Sequence, residues 1–273
     1  MITEKDIIAS RTEFLDLALN LYGIKLDGYR PEFIDRRLGV LASKNGFNSM
    51  FQLKHELVNN ELFAKKLEMN IAVNVTEMFR DPLFFKVLKN VINSNFKTRN
   101  ELRIWHPACS KGHEVFSLAI LLKEIGKLEN SILYGTDICH ESINEARKGV
   151  IRGKELKKYS TNYLLSGGKN SLSEYFKISY DNALLSHSIK ERIKFSYHKL
   201  GTDSSFQKFQ MILCRNLFIY FNPKYQSYLL NSLIESLEVN GILCMGLYEP
   251  IEQLEGFEKL ECIDNKNKIY KKK

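Results

Sequence analysis

The chain has 273 residues, 44% of them hydrophobic and 26% charged, with a formal net charge of +8. That balance suits a globular protein of one large domain or two smaller ones, and no run reaches the ~18 apolar residues of a membrane span. The opening "MITEKDIIAS" has no signal-peptide core, so the expected location is the cytoplasm, with no membrane insertion.

The first third reads as helices. "DIIASRTEFLDLALNLYGI" repeats apolar residues at helical spacing and stops at Gly23. "PEFIDRRLGVLASKNG" places Pro31 in a first turn and Gly46 just past an end. "NSMFQLKHELVNN" offers Asn48 or Ser49 as a cap, and "NELFAKKLEMNIAV" is a fourth helix. No strand pattern precedes residue 100. In "RDPLFFKVLKNVINSNF", Asp81 is the expected N-cap, Pro82 fits the first helical position, and Leu83, Val87, Leu88 and Val91 are the expected buried face.

Strands and helices alternate thereafter. "LRIWHPAC" precedes the helix "HEVFSLAILLKEIG"; "SILYGTDI" precedes "HESINEARKGVI"; "FQMILCRNLFIYF" precedes "NPKYQSYLLNSLIESLEVNG", expected to be helical up to Gly241. "GILCMGLYE" is a strand and "KLECIDNKNKIYKK" a closing hairpin. Such alternation implies a parallel sheet covered on both faces. Residues 151–199 break it and read as an inserted loop or small antiparallel excursion. The expected fold class is therefore α/β: a small helical domain over 1–75, then a Rossmann-like domain over 76–273 with an insertion at about 151–199.

Ligands of open parallel sheets bind beyond the carboxyl ends of the strands. Three stretches lie there. "ACSKGHE" allows close backbone approach at Gly112 and puts Glu114 at a helix start, but it is not a GxGxxG loop. Asp137 ends the second strand, where a carboxylate suits ribose hydroxyls or simply faces solvent. Arg215, Asn216 and Tyr220 follow a buried strand, where polar side chains need a reason: a structural hydrogen-bond pair or a functional one. The five cysteines form no CxxC pair, so buried thiols are expected and no metal site. The positive charge suits an acidic partner. The lysines are dispersed, so nucleic acid is not the expected partner, and the terminal "KKK" reads as a solvated tail.

Five segments carry a resemblance. "NVTEMFRDPLFF" (residues 74–85) resembles the N-x-T-x-F-F-R-D signature of the CheR-type chemotaxis receptor methyltransferases. In order and spacing, "YRPEFIDRRL", "RIWHPACSKGHEVFSLA", "GTDI" and "ILCRNLFIYFNPKYQ" with "GILCMGLYE" resemble further segments of that family, covering about residue 28 to the end. The resemblance implies S-adenosylmethionine as methyl donor, S-adenosylhomocysteine as product, and receptor glutamates as acceptors. It further implies that Asn74, Thr76 and Arg80 approach the methionine and sulfonium end, that Glu114 contacts the cofactor, and that Asp137 holds the ribose. Lys199-Leu200 stands where the family has Asn-Leu near the adenine, Arg215 and Asn216 lie beside the reacting centre, and Tyr220 faces the acceptor. Arg80 and Tyr220 are the implied catalytic residues. The implied partner is the acidic helical region of a chemoreceptor or related signalling protein, met by a monomer.

This chain departs from the family pattern at several places. Ala108 replaces a glycine, Lys111 a threonine, His113 a glutamate, Met78 the first signature phenylalanine, and Tyr248 a serine before Glu249. His113 is expected to face solvent. The altered loop leaves a second reading open, a cofactor-binding regulatory or scaffold protein without turnover.

Overall fold

A computed structural model describes residues 4–65, 67–71, 73, 76–97, 99 and 101–273, the side chains of 4–10, 65 and 68 excepted. The chain divides into two compact units, Met1–Val73 with Phe218–Gln226, and Asn74–Leu217 with Ser227–Lys273.

The first unit is helical: α1 (Glu4–Tyr22), α2 (Pro31–Lys44), α3 (Met50–Asn59), α4 (Glu61–Lys65) and α5 (Leu67–Ile71). Gly23 ends α1 in the left-handed region at φ 67°, and the Gly23 and Ile24 N–H groups return to the Leu19 and Ala18 carbonyls. Ser49, rather than Asn48, caps α3: its hydroxyl accepts from Gln52 N, while Gln52 Oε1 accepts from Asn48 N. Phe14, Ala18, Ile34, Leu38, Leu53 and Leu57 form its core. The segment Phe218–Gln226 joins this unit through Arg30 N donating to Tyr220 O and Asn222 N donating to Gly28 O, both at 2.9 Å. Gly28 is required there, because a Cβ would lie 2.7 Å from the Tyr225 ring.

The second unit opens with α6 (Pro82–Asn95), followed by β1 (Leu102–Pro107), α7 (His113–Glu124), β2 (Ser131–Asp137) and α8 (His140–Lys148). Then come β3 (Val150–Arg152), α9 (Gly153–Leu165), β4 (Phe176–Ser179), β5 (Asn182–Leu185), α10 (His187–Lys190), β6 (Ile193–Tyr197) and β7 (Phe209–Cys214). The chain closes with α11 (Pro223–Ser236), β8 (Leu237–Met245), β9 (Leu260–Asp264) and β10 (Ile269–Lys272). The main sheet has the order β6-β2-β1-β7-β8-β10-β9. β6, β2, β1, β7 and β8 pair parallel, whereas β10 runs antiparallel to both β8 and β9. β7 is buried at every position, which is why "FQMILC" carries no polar alternation. The strand order steps outward in both directions from β1 and β7, so the ends of those strands are the switch point where a ligand belongs.

The expected α/β architecture is present, with four local differences. The α6 core face is Phe84, Phe85, Leu88, Val91 and Ile92, with Leu83 61% exposed; the helix begins at Pro82 as expected, but it turns the Phe84–Phe85 side rather than Leu83 to the core. The helix expected up to Gly241 stops at Ser236, where the Lys272 ammonium donates to the Ile234 and Leu237 carbonyls and β8 begins. That ties the "KKK" end to the fold, with Lys271 and Lys272 half-buried in the closing strand and Lys273 exposed but donating from Nζ to Glu258 O at 2.7 Å. Residues 151–199 hold more than an antiparallel excursion. They contain the three-stranded sheet β3-β5-β4, but also the helix α9, and Ile193–Tyr197 is the edge strand of the main sheet. α9 buries Leu156, Tyr159 and Tyr163, a stripe two-thirds tyrosine that does not stand out as apolar. Among the described residues no helix is long and apolar enough to cross a membrane.

Candidate functional site

The loop between β1 and α7 turns sharply. Ala108, Ser110 and Gly112 all adopt left-handed backbone angles, with φ of 53°, 51° and 79°. Gly112 has a second reason to lack a side chain: a Cβ would stand 2.8 Å from the Phe195 ring. The loop is tied to the end of β2. Cys109 N donates to Thr136 O at 2.9 Å, and Ser110 N donates to Asp137 Oδ2 at 2.7 Å. The other Asp137 oxygen accepts from Cys139 N at 2.9 Å. Burial pushes the Asp137 carboxyl above its ordinary range, against the backbone N–H groups that favour its charge. Next to it, His198 N donates to Asp137 O, which brings Lys199 and Leu200 to the same sheet end; Lys199 N donates to Asp203 Oδ2 at 2.7 Å.

A second group centres on Arg215, directly after β7. Its side chain has no exposed surface. Nη1 donates to Glu114 Oε2 and Nη2 to Asp81 Oδ2, each at 2.6 Å, and both nitrogens lie 3.4 Å from Arg80 O. The guanidinium plane rests over the Phe84 ring, 3.9 Å from its centroid. A buried guanidinium between two carboxylates is the arrangement that offsets the desolvation of a buried charge. Glu114, in the first turn of α7, also faces His106 Nδ1 at 3.4 Å. Burial raises the Glu114 carboxyl, but Arg215 and His106 outweigh it and hold it below its usual range.

Asp81 occupies the N-cap position of α6 but makes no cap bond: its φ is 58° and its carboxylate goes to Arg215 instead. Phe79, two residues earlier, is also left-handed at φ 51°. Arg80 thus stands between two left-handed residues in a turn fixed on both sides, since Phe79 N donates to Ser117 Oγ at 2.8 Å and Ser117 Oγ donates to His113 O at 2.8 Å. Such conformations persist where the surroundings over-determine them. Among the described residues, no hydrogen bond or ion pair engages the Arg80 guanidinium.

His113 does not face solvent. It is 6% exposed, with its Nδ1 3.4 Å from the Tyr159 hydroxyl and its ring packed edge-on against that tyrosine. The backbone of Thr76 is its other polar neighbour, and burial lowers its pKa. A helix-start position in a polar loop looked exposed, but α9 covers it. Asn216 is left-handed at φ 62°, and its N–H shares Glu249 Oε2 with Gly246 N, at 2.8 and 2.5 Å.

Within the second unit, then, Thr76, Arg80, Glu114, Asp137, Lys199, Leu200, Arg215 and Asn216 lie in the loops at the carboxyl ends of β1, β2, β6 and β7 or in the turn braced against them. Asn74 lies outside the described residues. Tyr220 belongs to the first unit, where its ring packs on Phe33 with centroids 4.7 Å apart. Asp81, Ser117, His106 and Glu249 were not singled out as site residues. Asp81 carries a signal in its place directly after Arg80 at the end of the signature, where the N-cap reading competes with it, and Glu249 carries one in its place in the closing segment.

The residues present fit a cofactor with a polar, charged end and a ribose. Ser110 Oγ and His106 Nε2 are buried without a hydrogen-bond partner among the described residues, and the Asp137 carboxylate keeps accepting capacity beyond its backbone donors. The model of the CheR methyltransferase, SAM binding domain, matches residues 74–266. The chain is 34% identical over 251 residues to "Putative methyltransferase Cher3" of Pseudomonas putida, covering 92% of each. It is 29% identical to the chemotaxis protein methyltransferase of Borreliella burgdorferi, covering 92% of this chain and 90% of that one. With chemotaxis protein methyltransferase 1 of Vibrio cholerae the identity is 27%, over 92% of each.

Proposed function

The chain belongs to the CheR methyltransferase family, and from that premise we propose that it methylates glutamate side chains of chemoreceptors, giving glutamate methyl esters and S-adenosylhomocysteine. S-adenosylmethionine is the cofactor of the matched domain. The relatives named as chemotaxis protein methyltransferases support the signalling context, and the glutamate acceptor proposed here rests on the family resemblance of the signature segments.

The observation that carries the reading is the Arg215 brace, which draws Glu114 and Asp81 to one guanidinium and fixes the turn bearing Arg80. Bound S-adenosylmethionine supplies a methyl group on a sulfonium centre. Asp137, which closes the β1 loop, would also accept hydrogen bonds from the ribose hydroxyls, and Lys199-Leu200 would flank the adenine. By the resemblance, Asn74, Thr76 and Glu114 would hold the methionine end, with Arg215 and Asn216 beside the reacting centre. Arg80 orients the acceptor carboxylate with its planar fork. No general base is needed, because a glutamate carboxyl is already ionised at pH 7. The attacking anion and the sulfonium cancel charge as the bond forms, so alignment and exclusion of water contribute more than added charge. Tyr220, assigned by resemblance, acts on the acceptor side. The net charge of +8 suits an acidic receptor region.

The test is transfer of labelled methyl from S-adenosylmethionine to a receptor fraction, with base-labile label marking an ester. Cofactor binding without any transfer would support the scaffold reading instead. Tyr220→Phe should lower turnover more than cofactor affinity; equal turnover would reduce Tyr220 to packing.

A further inference from the structure

We infer that Asp81 is a positioning residue for methyl transfer, acting through Arg80; this rests on the reading above, in which Arg80 meets the reactants. Three observations carry the inference. The first is that Asp81 has given up the role its sequence position suggests. An aspartate before a proline-initiated helix ordinarily accepts from the first turn's N–H groups. Here it makes no such bond, and its carboxylate reaches the fully buried Arg215 at 2.6 Å.

The second is the backbone it holds. Asp81 and Phe79 both sit in the left-handed region, on either side of Arg80. A short polar side chain tolerates that region, but phenylalanine does so only when held. The Phe79 ring is held by Phe85 and Tyr163, each with centroids 5.2 Å away, and its N–H by Ser117. The third observation is the carbonyl between them. Both terminal nitrogens of Arg215 lie 3.4 Å from Arg80 O, so the guanidinium that Asp81 engages also faces the Arg80 peptide. Asp81 therefore sets where the Arg80 side chain leaves the backbone. Glu114 shares the same guanidinium, so the ion pairs are one connected unit.

Asp81→Asn separates the possible roles. Asparagine tolerates the left-handed region and keeps the shape, but loses the charge that engages Arg215. The experiment uses the full chain in single-turnover transfer to receptor fraction at saturating cofactor, with S-adenosylhomocysteine affinity by calorimetry, at a temperature where circular dichroism shows each variant folded. Asp81→Asn is expected to lower the transfer rate about fivefold or more, and in an Arg80→Ala background to change it less than about twofold. Where transfer by Arg80→Ala falls below detection, the same cycle is read in transfer rate with Arg80→Lys in its place. Multiplicative effects of the two substitutions, or a parental rate for Asp81→Asn, would overturn the inference. A parental rate for Arg80→Ala would instead overturn the role given to Arg80. If Asp81→Asn does not fold, Ser117→Ala loosens the same turn from its Phe79 side without touching the ion pair. The same loss and the same non-additivity with Arg80→Ala are then expected, and additivity overturns the inference.

Discussion

Asp137 Oδ2 accepts the backbone N–H of Ser110 at 2.7 Å, so the carboxylate that ends β2 also closes the loop leaving β1. Its other oxygen does the same for Cys139 at the start of α8. The side chain is 5% exposed. A residue proposed for the ribose is thus already a structural bond between two loops, and loss of it must be read in two ways at once.

Asp137→Ala is accordingly expected to destabilise the protein without any cofactor, by about 1.5–3 kcal/mol, the scale of a hydrogen bond to a charged group. Cofactor affinity should fall by a similar amount again if the ribose is held there. Thermal melts without cofactor and calorimetry with S-adenosylhomocysteine measure the two separately. A full loss of affinity with an unchanged melt would mean that the loop closes without Asp137.

Ala108 stands where the family pattern has glycine, at φ 53°. A left-handed alanine costs ~1–2 kcal/mol, while glycine costs the folded state about 0.4–1 kcal/mol through the greater freedom of the unfolded chain. The difference favours glycine, so Ala108→Gly should raise the melting temperature slightly and leave cofactor affinity intact. A lower melting temperature would show that the methyl group packs well enough to offset the strain.

His113 gives the chain a pH dependence with a definite sign. Burial lowers its pKa, with Lys111 acting in the same direction and Glu155, Glu145 and the Thr76 backbone against it. The unfolded chain therefore takes up a proton that the folded site resists. Stability is unaffected by this group above about pH 6.5 and declines as pH falls below it, until the folded pKa is reached. His113→Gln keeps a polar contact for Tyr159 without the titration. Melting temperatures of parent and variant between pH 8 and 5 should diverge on the acid side, the parent losing more. Parallel curves would place the acid sensitivity elsewhere.

The parallel strands were legible because burial on both faces leaves runs such as "FQMILC" nearly all apolar, with Gln210 the one polar side chain and no alternation. The helix α9 was not, because Tyr159 and Tyr163 bury rings while keeping hydroxyls that bond His113 and Glu124. Asp137 could be read as a strand-end carboxylate, but its two backbone partners come from separate loops, which only the fold brings together. The same holds for Arg215. Its position after β7 marked it as unusual, yet its partners Glu114 and Asp81 lie 101 and 134 residues away in sequence. Local patterns carry strand ends and helix starts; they do not carry which charges those ends bring face to face.

Arg80 tests whether the brace serves geometry or only charge. Its backbone is fixed between left-handed Phe79 and Asp81, and its carbonyl faces Arg215, so the side chain leaves from a set point. Lysine would keep the charge but lacks the planar two-point fork that matches a carboxylate. Arg80→Lys is therefore expected to keep most of the parental melting temperature, because the turn is held by the Arg80 main chain and its neighbours. Methyl transfer should fall at least ~tenfold, about 1.4 kcal/mol in the barrier. Melting temperature, S-adenosylhomocysteine affinity and turnover are compared in parent and variant. Near-parental turnover would show that Arg80 supplies charge alone. Joint loss of stability and turnover would mark it as part of the structure, and the orienting role would then pass to Tyr220.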